Sequence, residues 1–166
     1  FNQMKGFGDY GFPESHSASF ALLAYASAWL KCHYPAAFCC ALLNSQPMGF
    51  YSASQLVQDV RRHDVAVLPV DVQSSGWESS LEGKGPAIRL GMHRISGFGQ
   101  AGAERILGAR ALHRFADVQD LARRARLDRG DLDTLAGAGA LASLAGHRHQ
   151  AHWRTRAVEE QRHLFG

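Results

Sequence analysis

The sequence predicts a mainly α protein with a small β element, and three observations carry that reading. Apolar residues recur at helical spacing from Ala18 to Val60, with breaks at Pro35 and Pro47. The period then falls towards two over DVAVLPVDV, residues 64–72, where β-branched residues alternate with others. Beyond residue 95, glycine-bearing turns alternate with helical segments, at Gly97-Phe98-Gly99 and again at Gly137-Ala138-Gly139.

Taken in order, FNQMKGFGD reads as the end of an earlier helix and a loop. Gly11 and Pro13 stop regular structure, and Ser15 or Ser17 is expected to cap a helix ending before Pro35. Ala18, Ala21, Leu22, Tyr25, Trp29 and Cys32 share one face of it, and Lys31 and His33 put positive charge at its C-terminal end. Pro35 suits the first turn of a second helix through Asn44, with Phe38, Ala41 and Leu42 inward. Gln46, Pro47 and Gly49 break it. Ser52 or Ser54 caps a third helix that buries Leu56, Val57 and Val60 and ends on Arg61, Arg62 and His63. These three helices are expected to form one packed unit. Besides residues 64–72, Trp77–Leu81 and Ala87–Met92 read as strands around a turn from Glu82 to Pro86. In the last third, Phe115, Val118, Leu121 and Ala122 mark a helix, and Asp128 caps another that buries Leu132 and Leu135. Residues 147–163 read as a polar helix or frayed tail.

A chain of 166 residues buries roughly 70% of its unfolded surface, enough for one domain or two small ones. Its first residue is Phe, so a piece of a longer chain is expected. Lys and Arg exceed Asp and Glu by only 18 to 15, so net charge alone does not argue for nucleic acid. The distribution says more, because Arg105, Arg110, Arg114, Arg123, Arg124, Arg126 and Arg129 crowd the second half. Cys32, Cys39 and Cys40 form no Cys-x-x-Cys pair and read as small buried side chains in a reducing compartment. The longest apolar run is interrupted by Ser19, Tyr25 and Ser27, which argues against a membrane span; a cytoplasmic location is expected. His147, His149 and His152 do not share one helix face, so no metal is expected there.

The run YGFPESHSASFALLAYASAWLKCHYP, residues 10–35, resembles the fingers region of the C-family bacterial DNA polymerases, the polymerase III alpha-subunit group. The resemblance rests on Tyr10, Gly11, Phe12, Ser15, His16, Leu30, Lys31, Tyr34 and Pro35. Leu42 to His63 looks more like the error-prone paralogue that serves damage-induced mutagenesis and translesion synthesis. Ile95 to Arg110 resembles a helix-hairpin-helix motif, and the family carries a tandem pair directly after the fingers, so the resemblance covers almost the whole chain. It implies a helical fingers segment over 1–63, a strand-rich connector over 64–95, the tandem hairpins over 96–146 and a basic, His-rich tail over 147–166.

By this resemblance, Ser15 and His16 would lie beside the incoming deoxynucleoside triphosphate, together with Lys31 and with Phe20, which stands where replicative enzymes commonly have Tyr. Gly97, Phe98, Gly99, Gln100, Arg105, Gly137 and Gly139 would meet primer-template DNA, through backbone amides that face phosphate rather than bases. Gln161, Leu164 and Phe165 resemble the sliding-clamp-binding peptide, from which Arg162 and His163 depart; accessory mutagenesis proteins are further implied partners. The palm aspartates that hold two Mg²⁺ ions lie N-terminal to the fingers in this family. No Asp-x-Asp occurs before residue 64, and Asp131-Leu132-Asp133 reads as the first turn of a helix. The fragment alone is therefore expected to be inactive. The alternative reading is a free-standing helix-hairpin-helix DNA-binding module with no catalytic partner.

Overall fold

A computed structural model describes residues 13–48, 51–83 and 86–144. The elements are α1 (Pro13–His33), α2 (Pro35–Asn44), α3 (Ala53–Arg61), β1 (Ala66–Leu68), β2 (Ser80–Glu82) and β3 (Ala87–Arg89). A 3₁₀ turn (Met92–Arg94) follows, then α4 (Gln100–Leu112), α5 (Val118–Arg124) and α6 (Arg129–Gly137). The mainly α architecture with a small sheet is the one the sequence predicts.

Proline opens α2 where its missing N–H costs nothing. Its inward stripe is Ala36, Cys39, Cys40 and Leu43, whereas Ala41 is exposed and Phe38 and Leu42 are half-buried. The expected face was therefore rotated by one position. Small Ala and Cys side chains let α2 lie close to the sheet, while Phe38 and Leu42 line a groove of about 470 Å³ beside α3. At the start of α3, Ser52 rather than Ser54 is the cap. Its Oγ accepts from the Gln55 amide at 3.2 Å, and Gln55 Oε1 accepts from the Ser52 amide at 2.9 Å.

Helix α1 departs most from expectation. It begins at Pro13, so Ser15 and Ser17 lie within its opening turns rather than at a cap. Its apolar residues face solvent, with Phe20 57%, Leu22 69% and Tyr25 70% exposed. Ala18, Ala21, Trp29 and Cys32 are exposed as well, so α1 does not join α2 and α3 in one packed unit. The reason is that Phe20, Leu22, Leu23 and Tyr25 point in several directions around the axis, and no one stripe dominates. The helix is held at its C-terminal end, where Lys31 Nζ meets Asp59 of α3 at 2.8 Å and the Trp29 ring lies 5.8 Å from that of Tyr34.

The sheet has the order β1-β3-β2, with β1 parallel and β2 antiparallel to β3. Fully buried Ile88 is opposite both Val67 and Leu81, and with Val60, Val65 and the α2 stripe it forms one core cluster. A second cluster joins Val70, Val72, Met92 and Ile95 to Phe98, Ile106, Leu121, Leu135 and Leu144. Residues 64–95 are thus divided between two cores, and Leu90 packs on both. A frame of hydrogen bonds joins them. Asn44 donates to Ser79 O at 2.9 Å and accepts from its amide at 2.8 Å, while Ser79 Oγ accepts from the Gly91 amide at 3.1 Å. Gly91 is required there, because a Cβ would stand 2.3 Å from Trp77 O. The amide of His93 donates to that same oxygen at 3.0 Å.

Candidate nucleic-acid interface

The first hairpin is built on a glycine that no other residue replaces cheaply. Gly97 adopts φ +81°, the left-handed region, and open space surrounds it. The next residue, Phe98, is 6% exposed and its ring lies under Gly102, where an added Cβ would approach Phe98 Cζ to 3.0 Å. Gly99 then caps α4 without any side-chain hydrogen bond to the first amides of the helix. The result is an exposed turn, Gly97 and Gly99 with Gln100, ahead of a positive helix end. Phe98 was expected among the DNA contacts; burial assigns it to the core instead, where it fixes the turn from beneath.

The second hairpin is not where the glycines suggest. Gly137 ends α6, and Gly139, at φ +71°, closes that helix, with its amide donating to Ala136 O at 2.9 Å and that of Ala140 to Leu135 O at 2.9 Å. These glycines form a helix C-terminus, not the turn between paired helices. The turn joins α5 to α6 through Ala125-Arg126-Leu127-Asp128, in which Ala125 and Leu127 are buried and Arg126 sits at φ +50°. It repeats the first hairpin residue for residue: Arg126 stands at the place of Gly97, Leu127 at that of Phe98 and Asp128 at that of Gly99. No glycine signal marks it, and the repeat of a left-handed residue, a buried residue and a helix cap was the signal available. One difference bears on anions. Asp128 accepts from the Asp131 amide at 2.8 Å, so a carboxylate already occupies the start of α6.

Much of the arginine excess is spent on the fold. Arg105 donates to Ala125 O at 2.9 Å and pairs with Asp131 at 3.2 Å, tying α4 to the second hairpin, so it is a brace rather than a free cation. Burial lowers the pKa of Arg110, which donates to Val72 O and Ser75 O, both at 2.8 Å. Arg124 lies over the Phe115 ring at 4.8 Å, pairs with Asp120 at 3.0 Å and donates to His113 O at 2.9 Å. Backbone donation from Ala116, then Arg124 and Arg123, holds the Asp120 carboxyl below the usual range. Arg114, Arg123, Arg126 and Arg129 keep exposed side chains around the α5–α6 turn.

The residues implied for the nucleotide do not come together. Ser15 lies in the first turns of α1. His16 is exposed, with its ring 4.6 Å from that of Phe20. Lys31 is fifteen positions after His16, about 22 Å along a helix, and is paired with Asp59. This stretch alone does not close a nucleotide pocket. Nor do the α6 carboxylates fit a pair of Mg²⁺ ions: Asp131 is held by Arg105 and Asp133 lies 3.8 Å from Arg129. Among the described residues no group of three His, Cys, Asp or Glu is placed to hold a metal, and no helix is long and apolar enough to cross a membrane. The His-rich tail and Gln161, Leu164 and Phe165 lie outside the described residues.

Paired helices joined by tight turns, with an uncapped helix end at one and exposed arginines at the other, define a helical-hairpin domain of the kind that meets a nucleic-acid backbone. A profile of the helix-hairpin-helix motif matches residues 64–151, more than half of the chain, and the chain belongs to that family. Its relatives are more particular. It is 62% identical over 170 residues to the error-prone DNA polymerase of Teredinibacter turnerae. It is 61% identical over 168 residues to the error-prone DNA polymerase of Pseudomonas aeruginosa. Each alignment takes in 99% of this chain and 16% of the relative, so the chain spans about one sixth of the length of the curated relatives it matches.

Proposed function

We propose that this chain is the part of an error-prone DNA polymerase that grips primer-template DNA, with α1 to α3 belonging to the fingers and the hairpins holding the duplex backbone. The observation that carries it is the repeated turn, a left-handed residue followed by a buried one, which projects uncapped amides at Gly99–Gln100 and a guanidinium at Arg126. Both elements suit phosphate and neither reads bases, as a polymerase that accepts any template requires. On this reading His16, Phe20 and Lys31 approach the incoming deoxynucleoside triphosphate only when the rest of the enzyme completes the pocket. The divalent ions, the clamp and the mutagenesis partners are engaged in the longer chain, with Gln161, Leu164 and Phe165 as the clamp segment.

The test uses variants whose loss of affinity cannot be blamed on unfolding. Arg126→Gly relieves about 1–2 kcal/mol of left-handed strain against roughly 0.5–1 kcal/mol of added chain entropy, so stability holds or rises. Gln100→Glu puts a carboxylate before the α4 amides, with stability within about 0.5 kcal/mol. Fluorescence anisotropy with a primed duplex should show each variant binding about two- to fivefold more weakly. The salt slope for Arg126→Gly should fall by about 0.9. Wild-type chain that fails to bind at low salt, or both variants binding as wild type, refutes the reading.

A further inference from the structure

Beside the first hairpin, a groove of about 450 Å³ runs between the end of α2 and the 3₁₀ turn. Most of its polar wall is already engaged. Asn44 is clamped on Ser79, Gln46 binds the Tyr51 carbonyl and the Met48 amide at 3.1 Å each, and both ring nitrogens of His93 face carbonyls, Trp77 O at 2.7 Å and Leu43 O at 3.3 Å. What remains is the half-buried Trp77, whose ring meets that of His93 edge-on at 6.0 Å, and two charged side chains. Neither the Arg94 guanidinium nor the Glu78 carboxylate has a hydrogen bond or ion pair among the described residues. An indole, an unclaimed cation and an unclaimed acceptor therefore share one recess. Its walls are held by the Gly91 contact, which fixes residues 77–79 against 91–93.

We propose that this groove holds one unstacked nucleotide of a single-stranded DNA extension, its base against Trp77 and its phosphate on Arg94. Stacking on an aromatic ring with a nearby cation is how proteins hold single strands without reading sequence. Glu78 offers an acceptor for a base N–H, the N3–H of thymine included. Placement supports the assignment: Arg94 is five residues before Gly99, and the turn between them folds back through Phe98 N to Ile95 O at 3.2 Å. The groove's Arg94 and the hairpin's Gly99 therefore lie at the two ends of one short turn. The proposal rests on the DNA-binding reading above and adds a second, chemically different subsite to it.

Anisotropy with this chain should show a duplex carrying a short oligo(dT) extension binding about tenfold tighter than its blunt counterpart. Trp77→Ala and Arg94→Gln should each remove most of that gain while blunt-duplex affinity stays within twofold. Arg94 is outside both cores, so its variant keeps the test valid if Trp77→Ala fails to fold. In a chain with Trp29 and Trp153 changed to Phe, oligo(dT) should quench the remaining Trp77 fluorescence. No gain from the extension, or a gain that survives in folded Arg94→Gln, overturns the proposal. Quenching by oligo(dT) without blunt-duplex binding would sink the hairpin reading and leave this subsite standing.

Discussion

Burial pushes the Cys39 thiol up to about 11, with the neighbouring Cys40 adding to the effect, and Cys39 donates to Leu56 O at 3.6 Å. Cys40 is raised by burial as well, whereas Cys32 lies exposed on α1. Because the thiolate is the nucleophile, at pH 8 only about one Cys39 in a thousand is reactive. Iodoacetamide followed by peptide mass spectrometry should therefore modify Cys32 alone in the folded chain, and Cys39 only as the pH is raised or the chain unfolds; modification of all three at equal rates would contradict the packing of α2. The sequence makes all three small buried side chains, and fails only at Cys32, because no single apolar stripe on α1 turns that position towards α2 and α3. Arg126 was illegible for a different reason. A left-handed turn announces itself through glycine, and here an arginine occupies it, while the glycines at 137 and 139 mark only a helix end.

Among the elements, those with local causes were readable: proline opens α2, Asp128 caps α6, and Leu135 is fully buried as its spacing requires. The strands were readable as a pair but not in extent. Trp77 to Ser79 is pinned by Asn44, thirty-five residues away, and by Gly91, so it leaves the ladder before β2 begins. That distant clamp predicts a severe local cost. Gly91→Ala places a methyl group within 2.5 Å of backbone atoms of residues 77–79, a clash that should remove at least about 3 kcal/mol. Gly108→Ala, at an exposed helical site with open space, should instead be neutral or stabilising. Urea denaturation of the two variants checks the contrast, and equal midpoints would show that the frame yields.

At the scale of the whole molecule, α1 offers a large apolar surface to water, with Phe20, Leu22, Leu23 and Tyr25 all more than half exposed. Leu22→Lys with Tyr25→Lys should leave the stability of this chain within about 0.5 kcal/mol in urea denaturation. A loss above about 1 kcal/mol would mean that α1 is already packed. The closure of the hairpin domain has a different reach. Val72 donates its amide to Ala140 O at 3.0 Å, and Ser143 donates to Asp71, seventy-two positions back in sequence. A ribosome adding about 5–20 residues per second needs roughly 4–14 s to supply that partner. During this interval Val70, Val72 and Met92 have emerged without Leu135, Ala140 and Leu144 to cover them. The newborn domain thus completes itself late, and its first half is a natural client for chaperones until the final turn arrives.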